Sequence, residues 1–372
     1  MSRRNRKPRK SWLSRISWVF GWCCIFLFWL WAVGAVRFHR WLPEEVGLIL
    51  ATLMVVWAIV LAICVERFPI WFCYIAGMAT TVWLLSFLQQ PSHERDWDEN
   101  QVRLASIETE EESIVVQNFR STHYRSETDF DVNYGDISFD MSQLEKVWLI
   151  VQRFTQNEGL AHVFLTFEIA NPDGASQFMA VSVEIRCEKG ETYSPIRGLY
   201  RQYELNYVFG SEEDLLGVRT VMRPDDRVYM YPVNATPLQV QRLFANIADR
   251  TNEIGKRPEF YHSLLNNCMN GVLEHTYELT PEPISWMNPK VVLPGYSGKL
   301  AFEKGLIGDG GDFEEFQQRC RIDKVAKEFG IKPGFSLEVR RNIGSAHIPV
   351  VPDYDNETYD DTDFGISGHR VR

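Results

Sequence analysis

Three windows near the start of the chain lack any charged side chain: Ile16–Val36, Val46–Val65 and Phe68–Leu88. Each is close to the roughly 20 apolar residues that a helix needs to cross hydrocarbon. The pattern therefore predicts three transmembrane helices within residues 16–88. Glu66-Arg67 is so short a connector that the last two windows would form a tight hairpin. A cleaved signal peptide, suggested by small residues near Ala32 and Ala35, competes for the first window. That window is long for a signal core, and further apolar windows follow it.

After Gln89 the pattern changes period. Residues 89–112 are charged and read as a linker, and a domain is expected over 113–342. Ser113–Phe119, Val147–Arg153, Val218–Met222 and Val228–Val233 read as strands, with a short helix the alternative for Val147–Arg153. His162–Ile169 and Phe178–Cys187 alternate apolar and polar residues around Asn171-Pro172-Asp173-Gly174, a turn signal, and predict an antiparallel hairpin. Met179, Val181, Val183 and Ile185 share one face of the second strand; Ala180, Ser182, Glu184 and Arg186 share the other. Ser211–Gly217 reads as a short helix. Thr236 caps a helix opened by Pro237 and running to about Glu253. Asn266 or Asn267 caps another from Cys268 to about Glu278. Pro294–Gly298 reads as loop and Phe313–Phe329 as one amphipathic helix. The tail from 343 turns acidic and is expected to be disordered.

Charge divides the chain in the same way. The whole carries −10. Arg3, Arg4, Arg6, Lys7, Arg9, Lys10 and Arg15 form a basic head (residues 1–15), which the positive-inside rule places in the cytoplasm. Three crossings would then put the domain in the periplasm. Everything from Gln89 onward sums to −17, which argues against a nucleic-acid partner. Nine of the twelve Trp residues precede Gln90, as membrane-interface anchoring favours. Cys23, Cys24, Cys64 and Cys73 lie in the apolar windows as small hydrophobes. Only Cys187, Cys268 and Cys320 lie beyond them. Pairing Cys187 with Cys320 would leave Cys268 free.

Cys268 is the candidate nucleophile. A helix start presents N–H groups and partial positive charge that favour a thiolate and can hold an oxyanion. His162, opening a strand, is the candidate base. Ser182 and Glu184 share a face of the partner strand; Glu184 is the preferred group to orient the imidazole. Seen singly, each residue is ordinarily structural: a Cys at a helix start packs as a small side chain, and Glu184 would be a solvated strand residue. His123, His262 and His275 are further imidazoles. No metal-ligand spacing, P-loop or dinucleotide fingerprint is present, so no metal or cofactor is expected.

The ordered set of His162 in its strand, Ser182–Arg186, Tyr193-Ser194-Pro195 with Gly198-Leu199, Tyr203-Glu204-Leu205, Asn266-Asn267-Cys268 and Leu293–Tyr296 resembles the Lnb-type N-terminal periplasmic domain family, over roughly 124–307. The resemblance implies an α+β fold: an antiparallel sheet with packed helices in a permuted papain-like arrangement of the NlpC/P60 kind, His preceding Cys. It implies Cys268 as nucleophile and His162 as base in lipoprotein N-acyltransferase-like chemistry. Met269-Asn270 stands where the family commonly has Thr-Thr, and the membrane segment precedes the domain instead of following it. The expected protein is a thiol acyltransferase or acyl hydrolase of the bacterial inner membrane, acting on membrane lipid or lipoprotein. The alternatives are a cell-wall amidase or peptidase with the same dyad and a non-catalytic anchored interaction domain.

Overall fold

The computed structural model describes residues 12–64, 68–110, 113–154, 157–223, 225–280 and 282–343. The head up to residue 11, the connector at 65–67 and the tail from 344 lie outside the described residues. The chain separates into two compact units: residues 1–92 with 194–202, and residues 93–193 with 203–372.

The first unit is built by the apolar windows. They form α1 (Trp12–Arg37), α2 (Glu44–Cys64) and α3 (Phe68–Leu88). Among the described residues two helices are long and apolar enough to cross a membrane, over Val19–Arg37 and Glu44–Leu61, where the sequence suggested three. The described apolar run of the third, Tyr74–Leu88, is shorter than the roughly 20 residues that hydrocarbon thickness requires. Polar atoms in these helices find partners within the bundle, as an apolar surrounding demands. Trp29 Nε1 donates to the Tyr74 hydroxyl at 3.2 Å, which donates to the Met54 carbonyl at 3.1 Å. Ser194–Gln202 belongs to this unit and holds the short α4 (Pro195–Gly198). Its Tyr200 ring stacks on Phe38 at 5.5 Å and packs over Gly34, where any Cβ would collide with the Tyr200 hydroxyl.

The second unit is a sheet with helices packed on it. Its strands are β1 (Ser106–Glu110), β2 (Ser113–Arg120), β3 (His123–Tyr124), β4 (Phe130–Asp131), β5 (Tyr134–Asp140), β6 (Leu144–Arg153), β7 (Ala161–Ala170), β8 (Ser176–Arg186), β9 (Glu204–Ser211) and β10 (Arg227–Pro232). The large sheet runs β1-β2-β9-β8-β7-β6-β10 with β5 also on β2; β3 and β4 pair separately. β1 lies inside the stretch that reads as linker. The expected antiparallel sheet is in fact mixed, because β2 meets β9 in parallel at Arg120↔Gly210. Gly210 permits that approach: a Cβ there would lie 2.7 Å from the Arg120 carbonyl oxygen.

Helix α5 (Glu212–Leu215) follows β9. Val218–Met222 is one π-helical turn and not a strand. Thr220 helps hold the segment helical, since both its N–H and its hydroxyl donate to the Leu216 carbonyl, at 3.0 and 2.9 Å. Helix α6 (Pro237–Lys256) starts as its sequence indicates, in a capping box of Thr236 and Gln239. Its Phe244 meets Phe139, Phe167 and Phe209 edge-on, at 5.7, 5.6 and 6.3 Å, and anchors one face of the sheet. Helix α7 (Cys268–Glu274) ends earlier than expected, with Thr276–Glu278 a separate turn. Helix α8 (Pro289–Val292) precedes the Pro294–Gly298 stretch read as loop, which is a 3-10 turn leading into α9 (Ser297–Glu303). The single amphipathic helix expected over Phe313–Phe329 is two, α10 (Phe313–Arg319) and α11 (Asp323–Phe329). The break is made by β10: Met230 N–H donates to the Cys320 carbonyl and Ile322 N–H to the Val228 carbonyl, both at 2.9 Å. Helix α12 (Phe335–Val339) closes the described chain. Cys187 and Cys320 are buried free thiols, so the disulfide considered for them is absent.

The face opposite α6 holds buried charge. Arg120 donates twice to Asp214 at 2.9 Å, and the Thr122 N–H adds a third bond to that carboxylate at 2.7 Å. Arg340 grips Glu212, which also accepts from the Thr166 hydroxyl at 2.6 Å. Asp214 is fully buried, so Arg120→Met would strand a charge and cost about 3–5 kcal/mol. At 2–4 °C per kcal/mol the domain should melt roughly 6–20 °C lower. A melting curve of Arg120→Met overlapping that of the parent chain would refute this role.

Candidate active site at a fork in the sheet

Strands β7 and β8 pair only from Ala170↔Ser176 to Leu165↔Val181. Beyond that point β7 continues beside β6 as far as Arg153↔Ala161, and β8 beside β9 as far as Arg186↔Glu204. The sheet thus forks, and His162 stands on one prong with Ser182 and Glu184 on the other. Backbone groups facing the gap lose their ladder partners and must find others.

Cys268 supplies one. α7 packs against both β7 and β8, and its first residue brings the sulfur to the fork. The sulfur lies close to the backbone N–H groups of Val163 and Met269, whose polarity favours the thiolate. Its position is fixed from behind. Asn267 caps α7, accepting from the N–H groups of Met269 and Asn270 at 2.9 and 3.0 Å, and donates to the Ser263 carbonyl at 2.8 Å. Asn266 donates to Glu259, and Arg250 of α6 clamps the same carboxylate with bonds of 2.8 and 2.7 Å. The two asparagines therefore have separate duties: one caps the helix, the other ties the loop to α6.

Alternation along the strands places Val163 and Val183 on the face covered by α7, where a Cβ at Gly271 would meet Val183 at 2.8 Å. His162, Ser182 and Glu184 lie on the other face. The His162 ring stacks on Phe164 at 5.5 Å, and Arg219 lies over Phe164 at 5.3 Å. His162 Nε2 bonds the Ser182 hydroxyl at 2.7 Å and stands 3.9 Å from the Glu184 carboxylate. Ser182, not the preferred Glu184, is the direct partner of the imidazole. Glu184 is gripped instead by Arg219. The Cys268 sulfur thus lies by Val163 on the α7 face of β7, while His162, one residue earlier in the strand, faces the other side.

Burial is the largest influence on both groups. It raises the Cys268 thiol against the pull of the surrounding N–H groups. It lowers His162 to about 3, helped by Arg219 and opposed by Glu184. Burial would raise Glu184, but Arg219 and Arg120 outweigh it and hold the carboxylate at about 2. Thiol and imidazole thus rest neutral, while Glu184 is ionised. The other imidazoles lie elsewhere: His123 is exposed on β3, His262 Nδ1 accepts from the N–H groups of Leu264 and Leu265 within its own loop, and His275, lowered to about 4 by burial, ends α7 through its backbone N–H. Among the described residues no group of three or more His, Cys, Asp or Glu is placed to hold a metal.

Two features escape a reading of the sequence. Arg219 is concealed because its segment scans as a strand. Tyr261 gives no sequence signal beyond its place in the loop before Cys268; its buried hydroxyl accepts from the Cys268 N–H and neighbours the Tyr193 hydroxyl.

Residues 130–289 match the family model of the Lnb N-terminal periplasmic domain. The matched stretch holds His162, Ser182, Glu184 and Cys268. No curated protein and no solved structure matches the chain. The Lnb-type domain and the two apolar helices together fit a membrane-anchored protein with a periplasmic domain.

The electrostatics set the sign of an acid response. His162 in the fold binds its proton near pH 3 instead of near 6.5, so the unfolded chain takes it up first. The stability this contributes is complete above about 6.5 and is lost as pH falls toward 3. Glu184 acts in the same direction between 4.5 and about 2. His162→Gln should flatten the stability–pH curve between pH 6.5 and 4.5, by up to about 1.4 kcal/mol per pH unit. Parallel denaturation curves for the two proteins over that range would contradict the buried neutral imidazole.

Proposed function

We propose that the Lnb-type domain is a thiol acyltransferase or acyl hydrolase with Cys268 as nucleophile. The observation that carries this reading is the Cys268 sulfur at the start of α7, packed near Val163 of the strand that also bears an imidazole tethered by Ser182. As sulfur attacks an ester or amide carbonyl, its proton passes across the fork to His162. The Cys268 N–H, which donates to the Tyr261 hydroxyl at rest, then turns to the developing oxyanion. Collapse expels the alcohol or amine, which takes the proton from His162, and leaves an acyl thioester. Water or an amine resolves it, with His162 again as base. Because the resting pair is neutral, the imidazole accepts a proton only as the thiol loses it. Ser182 fixes the ring, and Glu184, held by Arg219, supplies the negative charge that favours the transient imidazolium. His162 preceding Cys268 in the chain is the permuted order of a papain-like thiol site.

Membrane anchorage supports a lipid or lipoprotein acyl donor, since it holds the domain where such molecules are concentrated. Incubated with phospholipid vesicles and an acceptor peptide, the intact protein should carry an acyl adduct by mass spectrometry. Cys268→Ala should lose it, and His162→Gln should form it about 10²–10⁴-fold more slowly, the range that general-base catalysis provides. Undiminished transfer by Cys268→Ala would end the thiol reading.

The same proposal sets the domain in the periplasm of a bacterial inner membrane with the basic head in the cytoplasm. That placement demands an odd number of crossings, whereas two described helices reach crossing length. The count turns on the segment after α2. A phosphatase fused at the C-terminus should be active and one fused at the N-terminus inactive. Equal activity at both ends would establish an even count and remove the cytoplasmic head.

A further inference from the structure

Beside the His162 end of β7 the second unit leaves a ridge of large apolar side chains in the open. Met287 is 65 % exposed and Trp286 49 %; Val292, Leu293, Tyr296 and Leu160 are exposed as well. We propose that this ridge, formed by Trp286–Tyr296 with Leu160, is a membrane-contact surface that seats in the headgroup region of the bilayer to which the chain is anchored. The inference rests on the membrane-anchored reading and not on the thiol chemistry.

The ridge is held in place. The Gly295 N–H donates to the Gly159 carbonyl at 3.0 Å, and Arg153 Nε donates to the Gly295 carbonyl at 2.7 Å. The Leu293 and Tyr296 side chains lie against Gly159, which immediately precedes Leu160. Asn288 caps α8 through the Lys290 N–H at 2.9 Å. These bonds hold the apolar side chains outward on a fixed frame, where an ordinary soluble surface keeps such groups dispersed.

Composition selects lipid as the occupant. Trp and Tyr favour the headgroup level, and Leu and Met the acyl boundary beneath it. Basic attraction to anionic lipid is weak here, because Lys290 pairs with Glu303 and Lys304 with Glu282, and the part of the chain beyond Gln89 is acidic overall. Contact must therefore come from burying apolar surface. The crossing-length helices of this chain keep a bilayer at high local concentration, so even a small patch can engage it. Seated there, the ridge would turn the His162 end of the fork toward the lipid surface.

The chain offers its own probe. Of the three Trp residues beyond Gln90, Trp97 and Trp148 are 4 % and 7 % exposed, and only Trp286 is open. The full chain, labelled with 5-fluorotryptophan and placed in nanodiscs, gives a Trp286 fluorine line identified by its loss in Trp286→Phe. Lipid carrying a nitroxide near the headgroup should abolish this line, as it abolishes those of the helix Trp residues. A soluble gadolinium chelate should leave it largely intact, and Trp97 and Trp148 should survive both agents. A Trp286 line removed by gadolinium and untouched by nitroxide lipid would place the ridge in water and overturn the proposal. Helix lines untouched by nitroxide lipid would end the anchored reading itself, and the proposal with it. None of these readouts needs an active thiol, so a failure of the acyl-transfer reading would be seen separately.

Discussion

The site depends on β7 and β8 separating after Leu165↔Val181. A continuous ladder would use the Val163 N–H for β8 and close the gap between His162 and Ser182. Once the strands part, buried backbone groups need new partners. The Cys268 sulfur packs near the Val163 N–H, and the Ser182 hydroxyl bonds the imidazole. A defect in one structure, the sheet, is thereby the seat of another. The fork stays open because each prong remains paired on its outer side, β7 to β6 and β8 to β9.

Charge beneath the fork follows from the same geometry. Glu184 on one prong is buried and ionised, which would be costly without a partner. Arg219 supplies it from the π-helical turn, and Arg120, itself locked to Asp214, adds to the field. Arg219, with Arg223, also opposes a proton on His162. The network thus sets the resting state of the imidazole as much as it holds the sheet together.

Much of this was legible along the chain. The β7/β8 hairpin is written in strict alternation around Asn171-Pro172-Asp173-Gly174, and its register follows from burying one face. The start of α6 is written in Thr236, Pro237 and Gln239. The Asn267 cap before Cys268 is local chemistry that needs no distant partner. Val218–Met222 was illegible because a short β-branched run suits either a strand or a helical turn, and the Leu216 carbonyl decides between them. The break between α10 and α11 was illegible because it is imposed by β10, some ninety residues earlier in the chain. Ser182 and Glu184 share a face, so parity could not choose between them; the choice rests on Arg219 engaging Glu184.

By itself the sequence determined the apolar helices, the alternation of the central strands, the helix opening at Cys268 and the match of residues 130–289 to a family model, since each is encoded along the chain. Tertiary structure alone decided where the sheet forks, which side chain holds the imidazole, and on which faces of the sheet sulfur and ring lie. Those outcomes depend on contacts between segments distant in the chain, whose energies no local pattern records.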